Sequence, residues 1–221
     1  MTRAVIFANG LLTEPMAVRR HIAPDDFIIC ANGGTRHAAS LGLQPDLIVG
    51  DLDSLPADLL AELRGRGVRV QAHPARKDQT DLELALQAAA AAGVDEAVIV
   101  TALGGRLDQM LANILLLTRP EWSALALSLV DGRQRATLLR GPGGLTVPGA
   151  PGDTLSLIPL TERASGIALT GVEWPLDGAS ISLGSTLTIS NALTRPAATV
   201  RIERGLVLVV HIPLTDSNGG G

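Results

Sequence analysis

The stretch Leu47-Ile48-Val49-Gly50-Asp51-Leu52-Asp53-Ser54 decides how the first half of the chain reads. Three consecutive apolar residues run without alternation into a glycine and two aspartates. Such a run suits a strand buried on both faces, as in a parallel sheet covered by helices. The same arrangement recurs along the chain. Residues 4–8, 27–31, 68–71, 97–101 and 125–130 read as further strands, with helices over 14–21, 34–41, 57–66, 81–92 and 107–118. Gly42 and Gly93 follow two of these helices as C-caps. Alternation at this spacing predicts an α/β fold, an N-terminal open and mostly parallel sheet flanked by helices.

Beyond about residue 133 the helical periodicity stops. Short β-rich stretches follow at residues 136–139, 145–147, 154–159, 166–169, 179–183, 185–189, 199–202 and 206–212, punctuated by Gly and Pro. That pattern belongs to a small barrel or sandwich, and a C-terminal all-β sandwich domain is expected. The boundary falls near residues 140–144. The expected domains are therefore 1–140 and 141–215, with a polar, glycine-rich and disordered tail at 216–221.

Composition narrows the function classes. Of 221 residues, 46% are hydrophobic and 18% charged, which excludes disorder for most of the chain. A net charge of −4 argues against a nucleic-acid partner or an anionic membrane surface, although a local anion site stays open. A single cysteine, Cys30, allows no internal disulfide and no CxxC zinc pattern, and reads as a small buried residue. No apolar run reaches the ~18 residues of a membrane helix, and no signal peptide is evident, so a cytoplasmic protein is expected. Aromatic residues are only 2% with no tyrosine, so Leu, Val, Ile and Ala must build the core.

In open α/β sheets, ligands bind beyond the carboxyl ends of the strands. Applied here as a filter, that rule selects Asn32-Gly33-Gly34, Gly50-Asp51-Leu52-Asp53, Lys77-Asp78-Gln79-Thr80-Asp81 and Gly104-Gly105-Arg106-Leu107-Asp108. Asp51 and Asp53 are spaced so that an extended segment would turn both carboxylates to one side. Either a Mg²⁺ ion sits between them, or one caps the next helix while the other is solvated. Thr80 with Glu83 spells a capping box, which leaves Lys77, Asp78 and Asp81 unexplained. Lys77 is the one lysine among 18 basic side chains, and suggests a phosphate contact against the alternative of a solvated surface residue. The glycines of both Gly-Gly loops allow close backbone approach to a ligand ahead of a helix N-terminus, and Arg106 can fork onto phosphate oxygens. Asn32, Gly33, Gly34, Lys77, Thr80, Gly104, Gly105 and Arg106 are the nucleotide-binding candidates. Walker, GxGxxG and GxSxG signatures are absent, and the four histidines lack metal-ligand spacing.

In the second half, Trp174 stands between turn residues, either as a core plug or as a platform for an aromatic ligand. Ser190 and Asn191 offer hydrogen bonds or simply a turn. Trp122, with nothing polar around it, reads as packing.

Taken in order, Gly50-Asp51-Leu52-Asp53-Ser54, Lys77-Asp78-Gln79-Thr80-Asp81, Gly104-Gly105-Arg106-Leu107-Asp108, Trp174-Pro175-Leu176 and Ser190-Asn191 resemble the thiamine pyrophosphokinase (thiamine diphosphokinase) family across roughly residues 4–212. The resemblance implies pyrophosphoryl transfer from ATP to the hydroxyl of thiamine, giving AMP and thiamine diphosphate. It implies a Mg²⁺-dependent acidic centre of Asp51, Asp53, Asp78, Asp81 and Asp108, with Asp51, Asp53 and Asp108 as metal ligands. It also implies thiamine contacts from Trp174, Ser190 and Asn191, so that Trp174 becomes a platform, and a homodimer with active sites at its interface. Two positions depart from the family's usual pattern: Asn32 stands for an aspartate and Gln109 for a histidine. Competing readings are a metal-dependent phosphatase or nucleotidyl-sugar transferase using Asp-x-Asp, and a non-catalytic nucleotide or thiamine sensor. Retention of all five aspartates favours catalysis.

Overall fold

The computed structural model describes residues 2–214, so the expected tail at 216–221 lies outside the described residues. The chain divides into two compact units after Gly132.

The first unit is built on strands β1 (Arg3–Phe7), β2 (Phe27–Ala31), β3 (Leu47–Gly50), β4 (Arg69–Ala72), β5 (Glu96–Val100) and β6 (Ala126–Asp131). Helices α1 (Pro15–Arg19), α2 (Gly34–Ser40), α3 (Ala57–Gly65), α4 (Asp81–Ala91) and α5 (Leu107–Leu116) connect them. Every strand pair here is parallel, in the order β6-β5-β1-β2-β3-β4. The chain therefore steps outward from β1 to β4 and returns to lay β5 on the other side of β1. That reversal opens a crevice beyond the carboxyl ends of β1 and β5. The continuous apolar runs have the expected cause: Ala4–Phe7 and Ala97–Val100 in the central strands are wholly buried. Cys30 is buried as well, and burial pushes its thiol pKa far up, which makes it inert. β4 lies at the edge, and its residues are mostly exposed.

The second unit holds β7 (Gln134–Arg140), β8 (Gly143–Pro148), β9 (Thr154–Pro159), β10 (Arg163–Thr170), β11 (Leu176–Ser182), β12 (Asn191–Ala192), β13 (Ala197–Ile202) and β14 (Leu206–Ile212). They form two antiparallel layers, β12-β9-β14-β7 and β11-β10-β13-β8. Leu155, Leu157, Val207 and Val209 from one layer share a core with Ile167, Leu169, Ile181 and Val200 from the other. This is the expected sandwich.

Two features differ from the sequence expectation. The division falls after Gly132 rather than near residues 140–144, because β7 pairs along its length with β14 and belongs to the sandwich. The Gly141–Pro142 punctuation marks a passage between layers, not a linker. Residues 185–189 are also not a strand. Gly184 turns the chain at φ 83°, the Ser185 hydroxyl accepts from the Leu187 N–H, and the Thr188 hydroxyl donates to the Leu157 carbonyl at 2.6 Å. Local side-chain bonds have displaced a ladder that β propensity favoured.

Candidate active site

Each carboxyl end of β1, β2, β3 and β5 carries part of one site. Asn9 and Gly10 follow β1, Asn32 to Gly34 follow β2, Asp51 and Asp53 follow β3, and Gly104 to Arg106 follow β5. A cavity of about 430 Å³ lies at the crevice between β1 and β5. Its lining includes Asn9, Gly10, Thr80, Asp81, Gly104 and Arg106, with Gln109 and Asn113 from α5. Asn9, Gly10 and Asn113 escaped the sequence analysis. The strand-end rule, applied to β1 as it was to the other strands, selects Asn9-Gly10.

Sterics explain three of the glycines directly. A Cβ on Gly34 would stand 2.1 Å from the Phe7 carbonyl oxygen, and one on Gly33 2.4 Å from the Asn9 side chain. These glycines let the start of α2 press against the loop after β1. Gly104 has φ 77°, and a Cβ there would meet Leu11 at 2.8 Å.

The acidic residues form one linked cluster and one separate pair. Asn32 Nδ2 donates to Asp51 Oδ1 at 2.7 Å and to Asp53 Oδ1 at 3.0 Å. Lys77 Nζ lies 3.0 Å from Asp81 Oδ1 and 3.8 Å from Asp51 Oδ2. One lysine thus joins the loop after β3 to the first residue of α4. Asp53 is held below the usual carboxylate range, first by the Asn32 amide and also by the Ser54 hydroxyl. The segment is not extended as the sequence predicts: Leu52 lies in the left-handed region at φ 65°. The aspartates converge because the chain turns between them, with Leu52 packed on the core to hold the turn.

Asp108 does not join this cluster. It stands exposed in the first turn of α5, bonded at 2.5 and 3.1 Å to Arg106, which lowers its pKa. Among the described residues no three His, Cys, Asp or Glu side chains gather closely enough to hold a metal. The expected trio of Asp51, Asp53 and Asp108 is not gathered in one place, and Asp108 is paired with Arg106 instead. What remains still suits Mg²⁺, an ion that prefers hard oxygens and takes one or two carboxylates, with substrate phosphates completing its shell. Asp51 and Asp53 are two carboxylates of this kind, close enough to share one amide nitrogen. One buried oxygen beside them, Asn32 Oδ1, has no hydrogen-bond donor.

Thr80 caps α4 as expected, its hydroxyl accepting from the Glu83 N–H at 3.2 Å. The reciprocal half of the capping box is not formed. Glu83 turns instead to Arg119, at 2.5 Å. Asp78 is exposed and outside the cavity lining.

In the second unit, Trp174 is 58% exposed, so it is no core plug. Asn191, itself buried, accepts from the Trp174 N–H at 3.1 Å and donates to the Trp174 carbonyl at 2.8 Å. The Ser190 N–H donates to the Ser156 hydroxyl at 2.9 Å, with Ser190 at φ 60°. Trp122 is buried as packing, its indole N–H bonded to Leu116.

Comparison with known proteins bears on both units. Residues 18–129 match the family described as thiamin pyrophosphokinase, catalytic domain, and residues 145–207 match thiamin pyrophosphokinase, vitamin B1 binding domain. The chain belongs to the thiamine pyrophosphokinase family. A thiamine pyrophosphokinase of Bacillus subtilis is 32% identical, over 80% of this chain and 83% of that protein. A crystal structure of thiamine pyrophosphokinase from the same organism superposes with a TM-score of 0.85 at 27% identity, covering 97% of this chain and all of that one. The thiamin pyrophosphokinase of Geobacillus thermodenitrificans gives 0.81 at 28% identity, over 99% of each chain. Membership makes this chain a transferase of the kinase type. Among the described residues no helix is long and apolar enough to cross a membrane.

Proposed function

We propose that this chain transfers a pyrophosphoryl group from ATP to the hydroxyl of thiamine, releasing AMP and forming thiamine diphosphate. Family membership supports the reaction. The observation that carries its placement is the cavity at the β1/β5 crevice, lined by Gly104, Arg106, Thr80 and Asp81. Glycine loops and a helix N-terminus are suited to phosphates.

Asp51 and Asp53 would hold Mg²⁺ together with phosphate oxygens. When bound, the ion supplies charge neutralisation on the phosphates. Arg106 binds the phosphate chain by giving up its bond to Asp108, and Lys77 sets its ammonium beside the transferred group. The thiamine hydroxyl attacks the β-phosphorus in line and AMP leaves. Asp81 is the carboxylate offered to the hydroxyl proton, since it lines the cavity and Asp78 does not. Asn32, Gly33 and Gly34 shape the nucleotide side. On the thiamine side, the Trp174 indole is a stacking platform, with Ser190 and Asn191 beside it. The protein works in the cytoplasm as a homodimer with active sites at its interface. The exposed row Leu107, Leu111 and Leu115 along α5 is an apolar face for a second copy to cover.

The test is to incubate the protein with ATP, Mg²⁺ and thiamine and to quantify both products. Equimolar AMP and thiamine diphosphate, abolished by a chelator, is the expected result. AMP without thiamine diphosphate would overturn the acceptor.

A further inference from the structure

Asn32 directly follows β2, with φ 45°, and is 5% exposed. Its main chain is fully used. The N–H donates to the Val49 carbonyl at 2.8 Å, and the carbonyl accepts from the Thr35 hydroxyl at 2.8 Å. Asparagine tolerates the left-handed region better than most residues, and a turn here needs nothing further from it. The side chain nevertheless does more. One nitrogen reaches two carboxylates, Asp51 at 2.7 Å and Asp53 at 3.0 Å. Ionised carboxylates only accept, so the nitrogen must be the atom that faces them. That orientation leaves the amide oxygen buried with no donor, an unfavourable state that the two charge-assisted bonds must outweigh.

We infer that Asn32 is a positioning residue: its two amide hydrogens hold Asp51 and Asp53 together as a ready pair. The inference rests on the proposed role of those aspartates as the ion-holding pair. Without a partner of opposite sign, two like charges this close spread apart. The amide hydrogens put partial positive charge between them while the residue stays neutral. Leu52 turns the chain so that both carboxylates arrive at the one nitrogen. A carboxylate at position 32 would keep the shape, remove both donors and add a third negative charge.

Two variants separate these effects. Asn32→Gly accepts the left-handed backbone and deletes the amide, whereas Asn32→Asp keeps the shape, deletes the donors and adds a negative charge. Manganese(II) alone, without nucleotide or thiamine, is titrated into the full chain and followed by calorimetry and by the paramagnetic resonance of the free ion. Asn32→Gly is expected to bind manganese at least about fivefold more weakly than the parent, an effect of roughly one kcal/mol. Asn32→Asp is expected to bind it more tightly through charge, with no gain in kcat at saturating Mg²⁺ and ATP, because the donors that hold the pair are gone. Equal manganese affinity in Asn32→Gly and the parent overturns the inference, as does a parent that binds no manganese at millimolar concentration. A gain in kcat alongside the gain in affinity in Asn32→Asp also overturns it, by making residue 32 a ligand rather than a positioner. Should Asn32→Gly fail to fold, the Asn32→Asp comparison decides alone. Absence of thiamine diphosphate from the parent reaction overturns the proposed function, while the manganese ordering still judges Asn32.

Discussion

The two units present their site residues by different means. In the first, the side chains hold one another: Asn32 binds Asp51 and Asp53, and Lys77 bridges Asp51 and Asp81. In the second, a buried amide holds a backbone. Asn191 takes both polar groups of the Trp174 main chain and leaves the indole exposed. A charged cluster fixes where ionic groups sit relative to a ligand. A backbone clamp fixes where an apolar surface sits and leaves its face open. The first means suits polyphosphate and the second suits a flat ring.

The largest expected effect lies in the first cluster. Asp53→Asn should lower turnover about a thousandfold, corresponding to roughly 4 kcal/mol of lost electrostatic stabilisation, with the melting temperature unchanged. Rapid-quench product analysis beside a thermal melt checks this, and near-normal turnover would remove Asp53 from the ion site. Next comes a paired test in the second unit. Trp174→Ala should raise the KM for thiamine about tenfold without altering stability, because the indole is exposed. Asn191→Ala should raise the same KM and also cost about 1–3 kcal/mol in denaturant unfolding, by stranding the Trp174 N–H and carbonyl. If the two variants behave alike in unfolding, the backbone clamp is not what supports the platform.

The sequence told much about the first unit and less about the second. A parallel sheet gathers its loops at one edge, so a rule about strand ends found Asn32, Asp51, Asp81 and Arg106 without any knowledge of contacts. It did not foresee the turn at Leu52, because a left-handed leucine is imposed by packing and has no local signal. Nor could spacing reveal that Asp108 is taken by Arg106, since rotamers decide that pairing. In the sandwich, residues 185–189 carry strand composition but form turns held by Ser185 and Thr188. Antiparallel layers offer no single edge to serve as a filter, so Trp174 could be placed only by seeing its exposure.

Two smaller effects sharpen the contrast between units. Gly34→Ala should destabilise the first unit by about 1–3 kcal/mol, because its Cβ would collide with the Phe7 carbonyl. Chemical denaturation measures this. The second unit carries an acid-sensitive tie. Asp153 is pushed up by burial but drawn further down by the Leu214 and Ala150 N–H groups and by His211, so its folded pKa lies below its unfolded one. Its stabilisation is therefore present above about pH 4 and is lost as pH falls through the lowered folded value. The stability gap between the parent and Asp153→Asn should be open at pH 7 and close progressively below about pH 4.

Lys77 also has a consequence for experiment. It is the chain's one lysine, 14% exposed and wedged between Asp51 and Asp81. An acylating reagent therefore meets a single side-chain amine, and that amine stands beside the proposed phosphate path. One mass increment on one peptide becomes a reporter of occupancy: shielded when the cleft is filled, modified when it is open. The chain thus carries its own footprinting probe, with no engineered label.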